Sequence, residues 1–248
     1  MSLVLDDAEL DFLAQNMHIL SPEEAVEVEQ LLDELYKRRE AQACRDDLIE
    51  FCKKMQPDYK VGKHHRMLAD ELMAIAEGRK DRICINMPPR HGKSQLTSIY
   101  FPSWFIGKYP TKKILMVSHT SDLAVDFGRK VRNIIDSVAY KEIFPTVTLA
   151  ADSKSAGRWN TNSGGEYFAC GVGSALAGRG ADLLLVDDPH NEQDILSGNL
   201  DIFERAYEWF AYGARTRLMP GGRVAIIQTR WHQDDLTGRM IRDMTQNE

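Results

Sequence analysis

Apolar residues in the first part of the chain recur with the spacing of amphipathic helices. Three sets lie at i, i+3, i+4 and i+7 or close to it, the pattern of a helix with one buried face. The sets are Leu10, Leu13, Ala14 and Met17; Val28, Leu31, Leu32 and Leu35; and Leu48, Phe51, Cys52 and Met55. A capping box in SPEE (21–24) predicts the start of the middle helix, which we expect to run to about Ala41. We interpret residues 1–60 as a small helical cap or lid, with a partner-binding element as the alternative.

From residue 64 onward, short apolar runs alternate with helical patterns. The predicted strands are RICINM (82–87), KILMVSH (113–119), RWNT (158–161), EYFACGV (166–172), DLLLV (182–186) and RVAIIQT (223–229). The predicted helices lie at 64–78, from 95 onward, at 123–136, near 203–214 and at the end of the chain. Apolar strands separated by helices indicate a mostly parallel sheet covered on both faces. Residues 61–248 are therefore expected to form one α/β domain.

Charge is distributed unevenly along the 248 residues. Residues 1–50 hold 14 acidic and 4 basic residues, whereas the rest holds 23 acidic and 27 basic residues. The larger part is thus mildly basic, which permits binding to a phosphate backbone without demonstrating it. Basic residues that are candidates for such binding are Lys112, Lys113, Arg129, Lys130 and Arg132. No apolar run of 18 or more residues and no secretory signal are present, so we expect an intracellular protein without a membrane span.

The segment MPPRHGKS (87–94) has the end of a phosphate-binding loop but not its usual beginning. Gly92, Lys93 and Ser94 fit the pattern G-x-x-x-x-G-K-S/T, while Met87 stands in place of the first glycine. The segment lies between a predicted strand and a predicted helix, which is the context that a phosphate site requires. There the Lys93 ammonium would reach the β- and γ-phosphates, and the Ser94 hydroxyl would bind Mg²⁺.

The residues around this motif complete a predicted nucleotide-binding set. Proline has no N–H group to donate to phosphate, so Pro89 is expected to stiffen the entry to the loop. Arg90 and His91 are candidate side-chain donors, although Arg90 is equally compatible with an exposed surface charge. The set is Pro89, Arg90, His91, Gly92, Lys93, Ser94 and Gln95.

A second predicted strand, LLLVDD (183–188), ends in two carboxylates. An aspartate at the end of a buried strand can hold Mg²⁺, and an adjacent carboxylate can polarise the attacking water. We assign the first role to Asp187 and the second to Asp188, with Glu192 as the alternative and a turn-capping role for Asp188 as the structural interpretation. A third strand, VAIIQ, ends at Thr229, whose hydroxyl is a candidate for sensing hydrolysis beside the γ-phosphate.

Together these segments resemble the ATPase domain of the large terminase subunit of tailed bacteriophages. The resemblance runs from about His64 to Met240 and rests on five segments. They are HH (64–65), INMPPRHGKS (85–94), VSHTSDLAVDFGRKVR (117–132), GRGADLLLVDDPHNE (178–192) and QTRWHQDDLTGR (228–239). The family implies a P-loop NTPase fold with a Walker A lysine at Lys93, a magnesium aspartate at Asp187 and a coupling residue at Thr229. Glutamate usually follows that aspartate, whereas this chain has Asp188.

The resemblance also implies cofactors and partners. It implies ATP and Mg²⁺, and it implies double-stranded DNA, the procapsid portal and the small terminase subunit as partners in the host cytoplasm. A glutamine in the family reads adenine where this sequence has His64 and His65, so His65 is the predicted base contact. The family nuclease domain is not found in the sequence, so we expect no DNA cleavage. The isolated chain is expected to be mostly monomeric, with ring formation on assembly.

An arginine finger has two candidates in the sequence. Arg179 lies in the glycine-rich segment GSALAGRGA (173–181), which we expect to place it near the carboxyl ends of the strands and within reach of a neighbouring subunit. Arg90 would act within its own site, and a local ion pair is the structural alternative for Arg179. The favoured function is a DNA-packaging ATPase. The alternatives are a helicase-like or other nucleic-acid remodelling ATPase, or a nucleotide-binding scaffold without hydrolysis.

Overall fold

Six strands form one sheet in the computed structural model, which describes residue 12, residues 14–16, residue 19, residues 21–153 and residues 155–246. The strands are β1 (Arg82–Asn86), β2 (Lys113–Ser118), β3 (Arg158–Asn160), β4 (Glu166–Gly171), β5 (Ala181–Asp187) and β6 (Leu218–Gln228). Their order is β1-β6-β5-β2-β4-β3. Every pairing is parallel except that of β3 with β4. The predicted mostly parallel sheet is confirmed.

Helices cover both faces of this sheet. They are α1 (Pro22–Asp46), α2 (Leu48–Met55), α3 (Lys63–Glu77), α4 (Phe101–Lys108), α5 (Ser121–Asp136), α6 (Val138–Ile143), α7 (Glu192–Leu196), α8 (Asp201–Glu208) and α9 (Leu236–Gln246). Residues of α2 to α6 form one buried cluster against the first face, whereas Phe210, Ala214 and Leu236 pack against the second. The predicted α/β class with helices on both faces is therefore confirmed. No helix among the described residues is long and apolar enough to cross a membrane.

Helix α1 begins at the predicted capping box. The Ser21 hydroxyl accepts a hydrogen bond from the N–H of Glu24, and the Glu24 carboxylate accepts one from the N–H of Ser21. Helix α1 runs five residues beyond the predicted end at Ala41. The helix predicted around Leu10 to Met17 lies largely outside the described residues.

The end of α1 and all of α2 belong to the core of the α/β domain. Phe51 is fully buried and packs edge-on against Tyr140. The indole N–H of Trp104 donates to the carbonyl of Cys44 across 2.9 Å. Since residues 44–59 share the main hydrophobic cluster, the predicted boundary between residues 60 and 61 does not separate two cores. The division of the chain into domains stays a prediction.

The strand order brings three strand ends to the same edge of the sheet. β6 lies between β1 and β5, with Gln228 opposite Asn86 and Ile227 opposite Asp187. Parallel strands end at a common edge, so the segments that follow β1, β5 and β6 meet there. These are the segments that begin at Met87, Asp188 and Thr229. Two segments of the described chain are π-helical. Gln95–Tyr100 directly precedes α4, and Trp209–Ala214 directly follows α8.

Candidate active site

The loop at 87–94 does not need a glycine at its first position. The backbone of Met87 follows β1, and its N–H donates to the carbonyl of Gln228 across 3.1 Å. Among the described residues the loop uses positive φ angles at Arg90 (62°) and Gly92 (76°), and not at Met87. A side chain at Met87 therefore costs no backbone strain, and it packs against the main core instead. Non-glycine residues rarely adopt a positive φ, so Arg90 is a strained position at the tip of the loop.

Gly92 is required by the close approach of His65. A Cβ atom at Gly92 would collide with Nε2 of the His65 ring. The other ring nitrogen, Nδ1, accepts a hydrogen bond of 2.9 Å from the N–H of Gly62, and the ring also makes a backbone hydrogen bond with His91. Burial and the nearby His64 lower the pKa of His65, which favours the neutral ring. His65 thus supports the shape of the loop from the N-terminal turn of α3.

One carboxylate, that of Asp188, joins the segments that follow β1, β5 and β6. The Lys93 side chain is 7% exposed, and its Nζ lies 2.5 Å from Oδ2 of Asp188. Oδ1 of Asp188 accepts a hydrogen bond of 2.7 Å from the backbone N–H of Thr229. Asp188 itself has a φ of 42°, so both positive-φ residues other than glycine in the described chain lie in this site. The structure therefore brings together Lys93, Asp188 and Thr229, and the roles assigned to them stay predictions.

Asp187 is held by two hydroxyl groups from the helical segment after the loop. It is 1% exposed, and Ser94 Oγ donates to its Oδ1 across 3.1 Å. Ser98 Oγ donates to Oδ2 across 2.7 Å. Burial and the neighbouring Asp188 carboxylate raise the pKa of Asp187 to about 6, against the opposing effects of the two hydroxyls and Lys93.

These oxygen atoms suit a magnesium ion. Mg²⁺ prefers oxygen ligands and is commonly held by one or two carboxylates together with substrate phosphates. Ser94 and Asp187 supply a hydroxyl and a carboxylate next to the phosphate loop. No group of three or more His, Cys, Asp or Glu residues in the described part of the chain forms a metal cage by itself. The Ser94 hydroxyl and the Asp187 carboxylate fit an ion that arrives with a nucleotide.

We expect Asp187→Asn to stabilise the nucleotide-free protein at pH 7.5. The pKa of Asp187 is about 6 in the folded state against 3.8 for a free aspartate, so its ionised form destabilises the fold. At 1.36 kcal/mol per pKa unit the cost is on the order of 3 kcal/mol above pH 6, and it disappears as the pH falls below about 4. The melting temperature should rise by about 5 °C or more at pH 7.5 and converge with that of the wild type near pH 4.

The matched control for this prediction is Asp182→Asn in the same strand. The Asp182 carboxylate pairs with Lys112 Nζ and accepts from the N–H of Lys113, so its neutralisation should not stabilise the protein. Thermal unfolding without nucleotide or Mg²⁺ measures both variants. Equal melting temperatures for Asp187→Asn and the wild type at pH 7.5 would show that the buried carboxylate is not costly.

A cavity of about 410 Å³ opens beside the phosphate loop. Its wall includes the predicted residues His65, Arg90, His91, Gly92 and Gln95 and also Gln56, Asp58, Tyr59, Lys60 and His64. Gln56 was missed by the sequence analysis. Its Oε1 accepts hydrogen bonds of 2.7 Å from both Tyr100 Oη and Gln95 Nε2. These two hydrogen bonds hold the side-chain amide group of Gln56 in place at the wall of the cavity. Gln95, which the sequence predicted to bind nucleotide, is one of the two donors.

The segment after β6 is fixed by Asp235, a second residue that sequence reasoning did not identify. Asp235 is fully buried and accepts hydrogen bonds from Arg230 Nε at 2.8 Å and from the N–H of Gly238 at 3.0 Å. The second bond caps the start of α9. The segment between Thr229 and α9 is therefore held in a defined shape.

The predicted position of Arg179 was wrong. Arg179 precedes the first residue of β5, so it lies at the amino end of the sheet, and the length of β5 separates it from Asp187. The sequence predicts the carboxyl ends, but the glycine-rich segment crosses the sheet before the parallel strand β5 starts, which places Arg179 at the opposite end. Arg179 Nη1 pairs with Glu166 at 3.2 Å, and its guanidinium lies over the Phe168 ring. The local ion pair, given as the alternative, is the observed state.

The other candidate residues lie at the rim of the site or away from it. Glu192 is exposed as the first residue of α7, whereas Asp188 directly contacts Lys93. Pro89 and His91 stabilise the loop through a contact of 2.8 Å between the Pro89 carbonyl and His91 Nδ1. Three of the basic residues considered for DNA are already ion-paired, Lys112 with Asp182 and both Arg129 and Lys130 with Asp126.

Comparisons with known proteins found a matching family model and a similar solved structure. Residues 84–199 match the family model described as terminase large subunit, T4likevirus-type, N-terminal. No curated protein matches the chain by sequence. The crystal structure of the HK97 bacteriophage large terminase has a similar fold, with a TM-score of 0.50 and 12% sequence identity. The alignment covers 82% of this chain and 41% of that chain. The family match includes the loop, Asp187 and Asp188, and it ends before Thr229.

Proposed function

We propose that this chain hydrolyses ATP and couples hydrolysis to the movement of double-stranded DNA, because residues 84–199 match the family model of the N-terminal part of the terminase large subunit. The observation that carries this proposal is the meeting of Lys93, Asp187, Asp188 and Thr229 at one edge of the sheet. The ion pair between Lys93 and Asp188 and the hydrogen bond from Thr229 link the three strand ends. The partners proposed from the family are the procapsid portal, the small terminase subunit and further copies of the chain in a ring.

Each residue has a role that follows from its contacts. The N–H groups at the start of the helix after the loop lack partners within the helix and favour an anion, and Lys93 adds a buried ammonium. Ser94 and Asp187 would hold Mg²⁺, which when bound neutralises phosphate charge. Asp188 is the proposed general base, since its carboxylate is next to the phosphate loop and only partly exposed. Arg90, in the loop itself, is the proposed source of positive charge within the site.

Thr229 links the base to the rest of the domain. Phosphate oxygens would compete with Asp188 for the Lys93 ammonium, so nucleotide binding would free the Asp188 carboxylate from its ion pair. The same carboxylate holds the N–H of Thr229 at the end of β6. A movement of the Asp188 carboxylate would therefore shift Thr229. It would also shift the segment after Thr229, which Asp235 holds in place. This path is the proposed start of coupling.

Duplex DNA is the proposed substrate of the motor, and its effect on hydrolysis tests this part of the proposal. We expect double-stranded DNA to raise the rate of phosphate release from ATP, with no separation of strands. Stimulation by single-stranded DNA together with strand separation would favour the helicase-like alternative. Arg179 in trans stays a separate proposal, because ring assembly would have to break its pair with Glu166.

We expect Gln56, and not His65, to decide the preference for adenine. The Oε1 atom of Gln56 is occupied by two donors, which leaves its amide N–H groups to meet a ring nitrogen of a base in the cavity. Gln56→Ala should weaken ATP binding by about tenfold, the value of one hydrogen bond, and leave binding of inorganic triphosphate unchanged. His65→Ala should weaken both ligands equally, because His65 supports the loop. Titration of each variant with both ligands measures this.

Gln42→Ala is the matched control, since Gln42 lies in α1 and pairs with Asp46 and Arg45 on the surface. It should bind both ligands as the wild type does. A selective loss of ATP binding in His65→Ala, with Gln56→Ala normal, would restore the original assignment of the base contact to His65.

A further inference from the structure

Ser98 is a buried hydroxyl that ties the helical segment after the phosphate loop to the end of β5. It is 1% exposed, and its Oγ lies 2.7 Å from Oδ2 of Asp187, 89 residues further along the chain. Serine hydroxyls inside helices usually bond to the carbonyl four residues earlier, as Ser103 does with Ile99. Ser98 instead donates to the carboxylate across the core.

Ser94 and Ser98 each form a hydrogen bond with the Asp187 carboxylate. They lie four residues apart, a spacing that places side chains on the same side of a helix, and they donate to different oxygens, Oδ1 and Oδ2. Ser94 is partly exposed at the loop, whereas Ser98 is buried. A ligand can therefore reach Ser94 but not Ser98. The bond from Ser98 fixes Oδ2 and leaves Oδ1 turned toward Ser94.

We propose that Ser98 is a positioning residue, which orients the Asp187 carboxylate for the Mg²⁺ of a bound nucleotide without contacting the ion itself. The inference rests on the proposed function, because it assumes that Ser94 and Asp187 meet a magnesium–nucleotide complex. Groups that orient a metal-binding side chain typically change metal affinity by 10- to 100-fold when they are removed. The same range is expected here, since Ser98 makes one of the two side-chain hydrogen bonds to Asp187.

The test compares ATP affinity with Mg²⁺ and with EDTA in three variants. Ser98→Ala should reduce the gain in ATP affinity that Mg²⁺ provides by about 10- to 100-fold and leave affinity in EDTA unchanged. Ser98→Thr keeps the hydroxyl and should retain most of the gain. Ser103→Ala is the matched control, because Ser103 is fully buried in the following helix and its hydroxyl donates to the carbonyl of Ile99. It should keep the full gain.

The melting temperature separates positioning from a structural role. If Ser98→Ala lowers the melting temperature as Ser103→Ala does, yet keeps the full Mg²⁺-dependent gain, the inference is overturned. If Ser98→Ala does not fold, Ser98→Cys provides the comparison, since a thiol of similar size is a weaker donor and should give a partial loss. An unchanged gain in that variant overturns the inference as well. Failure of the wild type to bind ATP would instead overturn the proposed function.

Discussion

Lys93→Ala should abolish phosphate release from ATP while the protein stays folded. The Lys93 ammonium is buried beside the loop and meets Asp188, so it is the cation already placed where the β- and γ-phosphates are expected. Its loss removes the charge that would hold these phosphates and leaves Asp188 without its ion-pair partner. We expect a rate at the level of buffer alone, measured as inorganic phosphate in the presence of Mg²⁺ and saturating ATP.

Lys112→Ala is the matched control for this prediction. Lys112 also pairs with an aspartate, Asp182, but at the amino end of the sheet. Its replacement should leave the rate of phosphate release unchanged. Circular dichroism and thermal unfolding establish that both variants are folded. Wild-type turnover in folded Lys93→Ala would refute the site.

Asp188→Asn should slow hydrolysis by roughly 10²–10⁴-fold, the range expected for loss of a general base. Asparagine keeps the shape of the side chain, and its carbonyl can still accept the N–H of Thr229. The variant should bind ATP at least as tightly as the wild type, because Lys93 is no longer engaged by a carboxylate. Single-turnover measurements at saturating ATP separate the loss of rate from any change in binding.

Glu192→Gln is the companion variant, since Glu192 was the alternative base. Glu192 is exposed on α7, and we expect its replacement to leave the rate of hydrolysis unchanged. An unimpaired rate in Asp188→Asn together with an inactive Glu192→Gln would move the role of base to Glu192.

The parts of the fold and site that the sequence predicted are those encoded locally. Each strand along the edge of the site is an apolar run that ends in polar residues, and the parallel arrangement then brings Lys93, Asp187 and Thr229 to one place. The same reasoning fixed the start of α1 at Ser21, where two reciprocal hydrogen bonds are made within four residues. The resemblance to terminase large subunits is confirmed for residues 84–199.

What the sequence did not predict depends on contacts between distant residues. In the sequence, Ser98 cannot be told from other helix serines, because its contact with Asp187 in β5 is known only from the fold. Gln56 likewise is recognised only through the hydrogen bonds that it accepts from Tyr100 and Gln95. The missing glycine at Met87 could not be interpreted without the φ angles, which put the positive-φ positions of the loop at Arg90 and Gly92. The predicted position of Arg179 was wrong. A high glycine content indicates a flexible backbone, but it does not indicate at which end of the sheet the segment finishes.

Phosphate release from ATP by the purified wild-type chain is the most direct test of the central claim that this site hydrolyses nucleotide. The measurement uses Mg²⁺ at pH 7.5, where the Asp187 carboxyl group, with a pKa of about 6, is mostly ionised. We expect release above the level of Lys93→Ala and Asp188→Asn, even from a monomer that lacks a neighbouring arginine. ATP binding to the wild type with release no faster than in Lys93→Ala would contradict it and identify the domain as a nucleotide-binding scaffold.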